Sequence, residues 1–214
     1  MKVIDLTHVI SEDMPVYPGT EPPRLETANT LEKDGFKETL MTMYSHTGTH
    51  MDPPAHLYAD GATLDVMPIT NFVGKGFVVD CTDLKAGEYI TMEKINQNKA
   101  KVEEAEFILF NTGWSRYWGK EEYYGKFPVA DREVVDYLVK NKKKGFGVDV
   151  ISIDSMDAVT LPSHQVVLSN NMVIIENLAN LDQVGNDVFT VCLLPLKWKN
   201  ADGSPIRAIA ILEH

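Results

Sequence analysis

The segment between His46 and His56 constrains this chain more strongly than any other stretch. It holds three of the six histidines of the sequence, together with one aspartate, one glycine and two prolines. In full it reads His46-Thr47-Gly48-Thr49-His50-Met51-Asp52-Pro53-Pro54-Ala55-His56. Histidine and aspartate together form a natural ligand set for divalent ions such as zinc and manganese. The segment therefore predicts a metal site.

The spacing of these side chains argues against a regular helix and against a straight strand. His46, His50, Asp52 and His56 lie at even offsets, so an extended chain points all four to one face. In a helix, Asp52 would project away from His46, and the two prolines would end the helix. Four residues of straight strand span about 13 Å, too far for two ligands that share an ion through bonds of about 2 Å. We therefore expect a bent, buried loop or strand end, with Gly48 permitting the bend.

The alternative is a surface loop that is rich in histidine by chance. A single histidine in a sequence usually has a structural role. Three histidines and an aspartate in phase with a glycine bend favour the metal site over this alternative.

Composition limits the class of protein. With 214 residues the chain is long enough for one substantial core, and we expect a single domain over residues 1–214. The formal net charge of −11 argues against nucleic acid and anionic membranes as partners. No signal peptide or apolar run of ~20 residues is visible, so we expect a cytoplasmic protein. Cys81 and Cys192 lie in apolar, strand-like runs, which predicts buried reduced thiols.

Short apolar runs and amphipathic runs alternate irregularly, which predicts a mixed-sheet α/β domain. We expect strands near residues 2–6, 36–45, 76–80, 106–110, 147–154, 172–176, 187–194 and 205–212. We expect helices near residues 91–98, 131–144 and 163–168, with Ser163 near the N-cap of the last helix. The lysines at 142–144 are better explained as the basic end of the second helix than as a nucleic-acid patch.

Two residues far along the chain form a second candidate group. His164 follows a Pro-Ser break, and Glu176 closes the apolar run Met172-Val173-Ile174-Ile175. A carboxylate at the end of a buried run must be paired, hydrogen-bonded or bound to a metal. Spacing alone gives little reason to join these two residues to the first segment.

The first segment carries a resemblance to the cyclase family, which includes bacterial kynurenine formamidases and isatin hydrolases. The family pattern His-x-Gly-Thr-His-x-Asp-x-Pro-x-His is intact over residues 46–56. Other segments resemble the family along most of the chain: Val3-Ile4-Asp5-Leu6-Thr7, Pro15-Val16-Tyr17-Pro18-Gly19, Asn111-Thr112-Gly113-Trp114, Ile153-Asp154-Ser155, Ile175-Glu176-Asn177-Leu178 and Gly203-Ser204-Pro205-Ile206-Arg207-Ala208.

The resemblance implies a fold and an assembly. The fold would be a swivelling β/β/α domain, that is, a single α/β domain with a mixed, barrel-like sheet and flanking helices. Members of the family commonly assemble as homodimers or larger homo-oligomers. The expected cofactor is a divalent metal, zinc first and manganese second, with one or two ions per chain.

The resemblance also implies roles for individual residues. His46, His50 and Asp52 resemble the ligands of a first metal ion. Asp52, His164 and Glu176 resemble a second metal site or catalytic group, with Asp52 as the bridge between the two. His56 resembles the general base.

The function implied by this resemblance is hydrolysis of a small-molecule amide by a metal-activated water. An arylformamidase-like activity would convert N-formyl-L-kynurenine and water to L-kynurenine and formate, a step of tryptophan catabolism. Hydrolysis of another linear or cyclic amide, such as isatin, is the first alternative, and a non-catalytic metal-binding protein is the second. The first alternative stays open because the chain has Tyr17-Pro18-Gly19-Thr20 where formamidases typically have Trp-Pro-Gly-Asp.

Three aromatic residues are candidates for the wall of a substrate pocket, namely Tyr17, Phe36 and Trp114. Each has an equally good structural explanation, either in the core or on the surface. His8 follows the first strand and is expected to be a loop residue rather than a ligand, and we assign no role to His214.

Overall fold

The computed structural model describes residues 1–213, and His214 lies outside the described residues. Its strands are β1 (Lys2–Asp5), β2 (Arg24–Asn29), β3 (Glu38–Thr42), β4 (His50–Asp52), β5 (Val73–Asp80), β6 (Tyr89–Ile90), β7 (Phe107–Asn111), β8 (Val129–Ala130), β9 (Gly145–Val148), β10 (Val173–Glu176), β11 (Phe189–Pro195) and β12 (Ser204–Leu212). Its α-helices are α1 (Leu31–Asp34), α2 (Met92–Gln97), α3 (Lys99–Glu104), α4 (Arg132–Lys140) and α5 (Pro162–Ser169). None of the helices in the described part of the chain combines the length and the apolar character needed to cross a membrane.

Seven strands close into a barrel. Their order is β12-β11-β5-β7-β9-β10-β4, and β4 pairs back onto β12. The neighbours β5, β7, β9 and β10 run parallel, whereas the remaining pairs of the barrel are antiparallel. Strand β1 lies outside the ring, antiparallel to β12. The expected α/β domain with a mixed, barrel-like sheet is confirmed.

Side chains alternate between the two faces of the barrel sheet, so each face contributes to a separate hydrophobic core. In β7, Phe107 and Leu109 join the cluster that fills the barrel, together with Ile175 of β10 and Val191 of β11. Ile108 of β7 points the other way, into a second cluster that the helices cover. Because the parallel strands are buried on both faces, their sequences are apolar runs without a polar alternation.

Helix α4 ends earlier than the sequence pattern predicts. Asp131 accepts a hydrogen bond from the Val134 amide at 2.9 Å and caps the helix, which ends at Lys140 rather than at Lys144. Lys143 lies beyond the helix, and its Nζ donates to the carbonyls of Glu103 and Ala105 at 3.1 and 2.6 Å. The assignment of the lysine run to the end of α4 was wrong, because Lys143 stabilises the C-terminal end of α3.

The strand expected over residues 36–45 is shorter and lies in a different sheet. It is β3, which pairs with β2 in an exposed two-stranded hairpin separate from the barrel. An irregular loop over residues 43–49 then leads from β3 to β4, so His46 is carried by this loop and not by a strand. Both cysteines are free thiols, with Cys81 buried and Cys192 half-buried.

Candidate metal and active site

Pairing between β4 and β10 brings the two candidate groups of the sequence together. The antiparallel register sets His50 opposite Glu176 and Asp52 opposite Ile174. His50 and Asp52 are two residues apart, so their side chains share one face of β4, whereas Met51 between them packs into the barrel core. The site therefore lies on the outer face of the barrel wall, which the helices cover.

The predicted bend occurs at Gly48. Its φ of +63° lies in the left-handed region, which glycine adopts without the steric cost of a Cβ. The Gly48 carbonyl accepts hydrogen bonds from His50 Nδ1 at 2.8 Å and from Asn177 Nδ2 at 2.9 Å. These bonds turn His50 Nε2 toward the carboxylates, 3.3 Å from Asp52 Oδ1 and 3.5 Å from Glu176 Oε2.

Asp52 lies at the centre of the site and is 1% exposed. Its Oδ1 lies 2.7 Å from His46 Nδ1, and its Oδ2 lies 3.8 Å from His164 Nε2. Burial raises the pKa of this carboxyl, but the charges and hydrogen bonds of His50 and His46 outweigh burial and hold the pKa well below its usual range. Its two oxygens thus face the two different groups of histidines.

Asp154 holds His164 at the start of α5. Its Oδ2 accepts hydrogen bonds from His164 Nδ1 at 2.7 Å and from the His164 amide at 3.1 Å, and its Oδ1 accepts from the Ser163 amide at 2.9 Å. Leu161 is the N-cap of α5, so Ser163 lies near the N-cap as expected, and the Asp154 carboxylate satisfies the free amides of the first turn. His164 Nε2 is left facing Glu176 Oε1 at 3.3 Å.

The surrounding carboxylates raise the pKa values of two buried histidines. Burial alone lowers the pKa of His164, but the hydrogen bonds that its ring donates to the Asp154 and Glu176 carboxylates outweigh burial and raise the pKa to about 10. The same opposition acts on His50, where the Asp52 and Glu176 charges raise the pKa to about 9. Both shifts report a strongly negative field, which is the field that a bound cation would neutralise.

The donor set fits a divalent metal ion. In each of two triplets, one ligand atom per residue lies within 4.8 Å of the others: His50 with Asp52 and Glu176, and His46 with Asp52 and His56. His46 Nε2 is buried and has no hydrogen-bond partner among residues 1–213, so one nitrogen of this imidazole is left unsatisfied. Imidazole and carboxylate are ligands that suit zinc and manganese.

His56 occupies a short 3₁₀ turn over Pro54–His56, directly after the bend of the segment. Its ring centroid lies 4.0 Å from that of His46 and 6.1 Å from that of His164. Burial lowers the pKa of His56, although the Asp52 charge opposes this, so its imidazole is neutral at pH 7. A neutral imidazole can accept a proton, and it can also ligate a metal.

A cavity of about 400 Å³ opens over these residues. All six predicted metal and catalytic residues line it, and Tyr17 does too. Trp114 does not line it: the indole is buried in the core and donates from Nε1 to the Tyr123 carbonyl at 3.2 Å. Phe36 is 52% exposed near the hairpin and is also absent from the lining, so the pocket-wall assignment of these two residues does not fit the chain.

Sequence reasoning gave no role to three residues of the site. Asp154 orients His164, Asn177 donates to the Gly48 carbonyl, and Asp202 lies with its Oδ2 3.5 Å from His46 Nε2. Asp154 and Asn177 stood in segments that resemble the cyclase family, which was the available signal. Asp202 directly precedes such a segment, and nothing in its spacing connects it to His46.

Comparison with known proteins shows which family the chain is similar to. The sequence profile of the family described as "Putative cyclase" matches residues 4–155. Uncharacterized protein MJ0783 of Methanocaldococcus jannaschii is 34% identical, with 99% of this chain and 100% of that protein covered. A kynurenine formamidase of Bacillus cytotoxicus is 30% identical, with 96% of this chain and 95% of that enzyme covered.

Two solved structures share the fold over nearly the whole chain. Isatin hydrolase A from Labrenzia aggregata, bound to benzyl benzoate, has a TM-score of 0.88 and 27% identity and covers 98% of this chain and 93% of its own. A potential metal-dependent hydrolase with cyclase activity has a TM-score of 0.80 and 28% identity and covers 98% and 96%. The profile match over most of the sequence, together with these relatives, shows that the chain belongs to the cyclase family.

Proposed function

We propose that this protein is a metal-dependent amide hydrolase that acts on small aromatic amides, with N-formyl-L-kynurenine as its foremost candidate substrate. The observation that carries the proposal is the convergence of three histidines and two carboxylates beneath a cavity that His56 also lines. A kynurenine formamidase at 30% identity and an isatin hydrolase at 27% identity support hydrolysis of an aryl amide.

Five side chains would hold the metal, namely His46, His50, Asp52, His164 and Glu176. A divalent ion at such a site lowers the pKa of water toward ~7 and polarises a carbonyl group. The chain contributes the orientation of the ligands: the Gly48 carbonyl fixes His50, and Asp154 fixes His164.

His56 would act as the general base. It lines the cavity beside His46, and burial keeps its imidazole neutral and able to accept a proton from water. The protonated ring would then deliver this proton to the leaving nitrogen, so that the C–N bond breaks to give an amine and a carboxylic acid, which ionises to the carboxylate by releasing its proton to solvent. Tyr17 and Ile151 supply part of the wall that excludes water from an aryl ring.

A non-catalytic metal-binding protein is the alternative that the cavity argues against. A structural zinc site is closed by four tight protein ligands, often cysteines. Here the donor atoms lie on the floor of a cavity with room for a small molecule, and Cys81 and Cys192 do not line it.

The test is a parallel assay on metal-reconstituted protein, with formate release from N-formyl-L-kynurenine measured beside ring opening of isatin. The metal content is measured in the same samples. We expect turnover that requires the metal and disappears with a chelator. A metal-loaded protein without activity on either substrate, or on a wider panel of amides and lactams, would favour the non-catalytic alternative.

A further inference from the structure

We infer that the cavity selects its substrate by charge and favours neutral or cationic amides over anionic ones, with Asp202 at the rim as the residue that sets this preference. The inference rests on the proposed function, because it assigns a substrate class to the same site. It is carried by the charges of the cavity lining and by the position of Asp202.

The lining is poor in fixed positive charge. Among the described residues that form it, none is a lysine or an arginine, whereas three are acidic: Asp52, Glu176 and Asp202. Arginine is the side chain best suited to a substrate carboxylate, because its guanidinium binds both oxygens at once. A carboxylate on the substrate therefore finds no such partner in this chain.

Asp202 carries a charge that the metal does not need. Asp52 and Glu176 are buried and together carry two negative charges, which balance one divalent ion. The Asp202 side chain is 46% exposed, so it lies between the buried ligands and the solvent. Ser45 Oγ donates to Asp202 Oδ2 at 3.2 Å and holds this carboxylate toward the mouth of the cavity beside His46.

The negative charge of Asp202, which no metal ion balances, acts on both the substrate and the product. An ammonium group on the substrate can pair with Asp202, whereas an anionic group is repelled by it. Hydrolysis of an amide with water yields a carboxylate, so the same repulsion favours release of the acid product. In a zwitterionic substrate such as N-formyl-L-kynurenine, the ammonium would lie toward Asp202 and the carboxylate toward solvent.

The test uses three aryl formamides that share one ring and differ in one substituent: 3-formamidobenzylamine, N-(3-methylphenyl)formamide and 3-formamidobenzoate. The protein is reconstituted with one equivalent of metal, and kcat/KM is measured for each. Because Asp202 is half exposed and screened by solvent, we expect the cationic compound to exceed the neutral one by about threefold. We expect the cationic compound to exceed the anionic one by about tenfold at low salt, with a smaller ratio at high salt.

Asp202→Asn should reduce the ratio of cationic to anionic kcat/KM to within about threefold of unity at matched metal content. Asp60→Asn is the matched control, because Asp60 is an exposed acid outside the cavity and its loss should leave the ratio unchanged. Equal or better use of the anionic compound by the unaltered protein would overturn the inference, as would an unchanged ratio in Asp202→Asn.

A binding experiment separates this inference from the proposed function. Calorimetry on metal-free protein measures the affinity of the same three compounds without turnover, and we expect the same rank order. Absent hydrolysis of all three would count against the proposed function, while this rank order in binding would still support the charge preference. Failure of all three to bind, or tightest binding of the anionic compound, would overturn it.

Discussion

The two halves of the candidate metal site are held in place by different means. In the half formed by residues 46–52, the candidate ligands are positioned by contacts within their own segment. His46 contacts Asp52, and His50 donates a hydrogen bond to the Gly48 carbonyl. In the other half, a separate loop positions both residues: its Asp154 carboxylate binds His164, and its Ile153 amide donates a hydrogen bond to Glu176. The first half is thus a local structure that sequence spacing can specify, whereas the second half exists only after the fold forms.

Asp52 belongs to the first half and also faces His164 of the second half, so its removal tests whether the two halves form a single site. In Asp52→Asn we expect metal content to fall well below one equivalent and turnover to drop on the order of 1,000-fold. The physical reason is the loss of the central charge between His46, His50 and His164. Metal analysis and formate release measure the two effects, and full metal retention would show that the halves act independently.

Replacement of His56, which follows the first half in the sequence, distinguishes a general base from a metal ligand. His56→Ala should retain its metal and lose turnover by about 100-fold or more, in keeping with a missing general base. Added imidazole should restore part of the rate, because the substitution leaves space in the cavity. Loss of metal in this variant would instead make His56 a ligand beside His46 and Asp52, a triplet that the distances allow.

Asp154 tests how far the second half depends on its supporting loop. In Asp154→Asn the weaker acceptor holds His164 less firmly, and we expect metal affinity to fall by about 10- to 100-fold, as measured by competition with a chelator. Asp157→Asn is the matched control, because Asp157 is an exposed acid on the same loop. Equal metal affinities in the two variants would show that the helix start alone positions His164.

A substitution at Gly203 tests the support of the first half, because this glycine lies against the ring of His46. A Cβ at this position would lie 2.4 Å from Cε1 and 2.5 Å from Nε2 of His46, so Gly203→Ala must turn that ring. We expect metal affinity to fall by about tenfold with a small change in thermal stability, because only the end of a side chain has to move. Combined with Asp154→Asn, the losses should add if the halves are supported independently, and non-additive losses would show that the halves are coupled.

The number of protons released on metal binding reports on both halves in a single measurement. His50 and His164 have raised pKa values of about 9 and about 10, so both are protonated at pH 7 without metal. Their stabilising effect is complete below the unfolded value near 6.5 and is lost as the pH rises through 9 to 10. Metal ligation needs neutral imidazole, so calorimetry in buffers of different ionisation heat should show release of roughly one proton from each half. Uptake of metal without proton release would show that His50 and His164 are not both protonated in the metal-free protein.

The sequence predicted the first half well because its information is local. Even offsets and one glycine sufficed to predict a bent segment, with the bend at Gly48, that brings His46, His50, Asp52 and His56 together. The division of these residues into ligands and base came from family resemblance. The β4–β10 register that sets Glu176 opposite His50 depends on pairing across more than a hundred residues, which spacing does not encode. Membership of His164 and Glu176 in the site came from family resemblance, and the fold then supplied the contacts.

Fold prediction failed where tertiary partners override local pattern. Lys143 looked like the basic end of α4, but it satisfies carbonyls of α3, a partner invisible to helix periodicity. No residue of β2 or β3 is buried, so β2 gave no apolar signal. Trp114 was ambiguous because a large aromatic ring serves a core and a pocket equally well, and here it packs in the core.

The position of β12 in the barrel has a consequence for biosynthesis. Strand β12 pairs with β1, β11 and β4, so it joins residue 2 to residue 212 and residue 50 to residue 205. During translation, the free edges of β4 and β11 stay unpaired until residues 204–212 leave the ribosome. Contacts of such long sequence separation also slow folding. Because β4 carries His50 and Asp52, the complete barrel and its candidate metal site form only after synthesis of β12, and an unfinished chain exposes aggregation-prone strand edges.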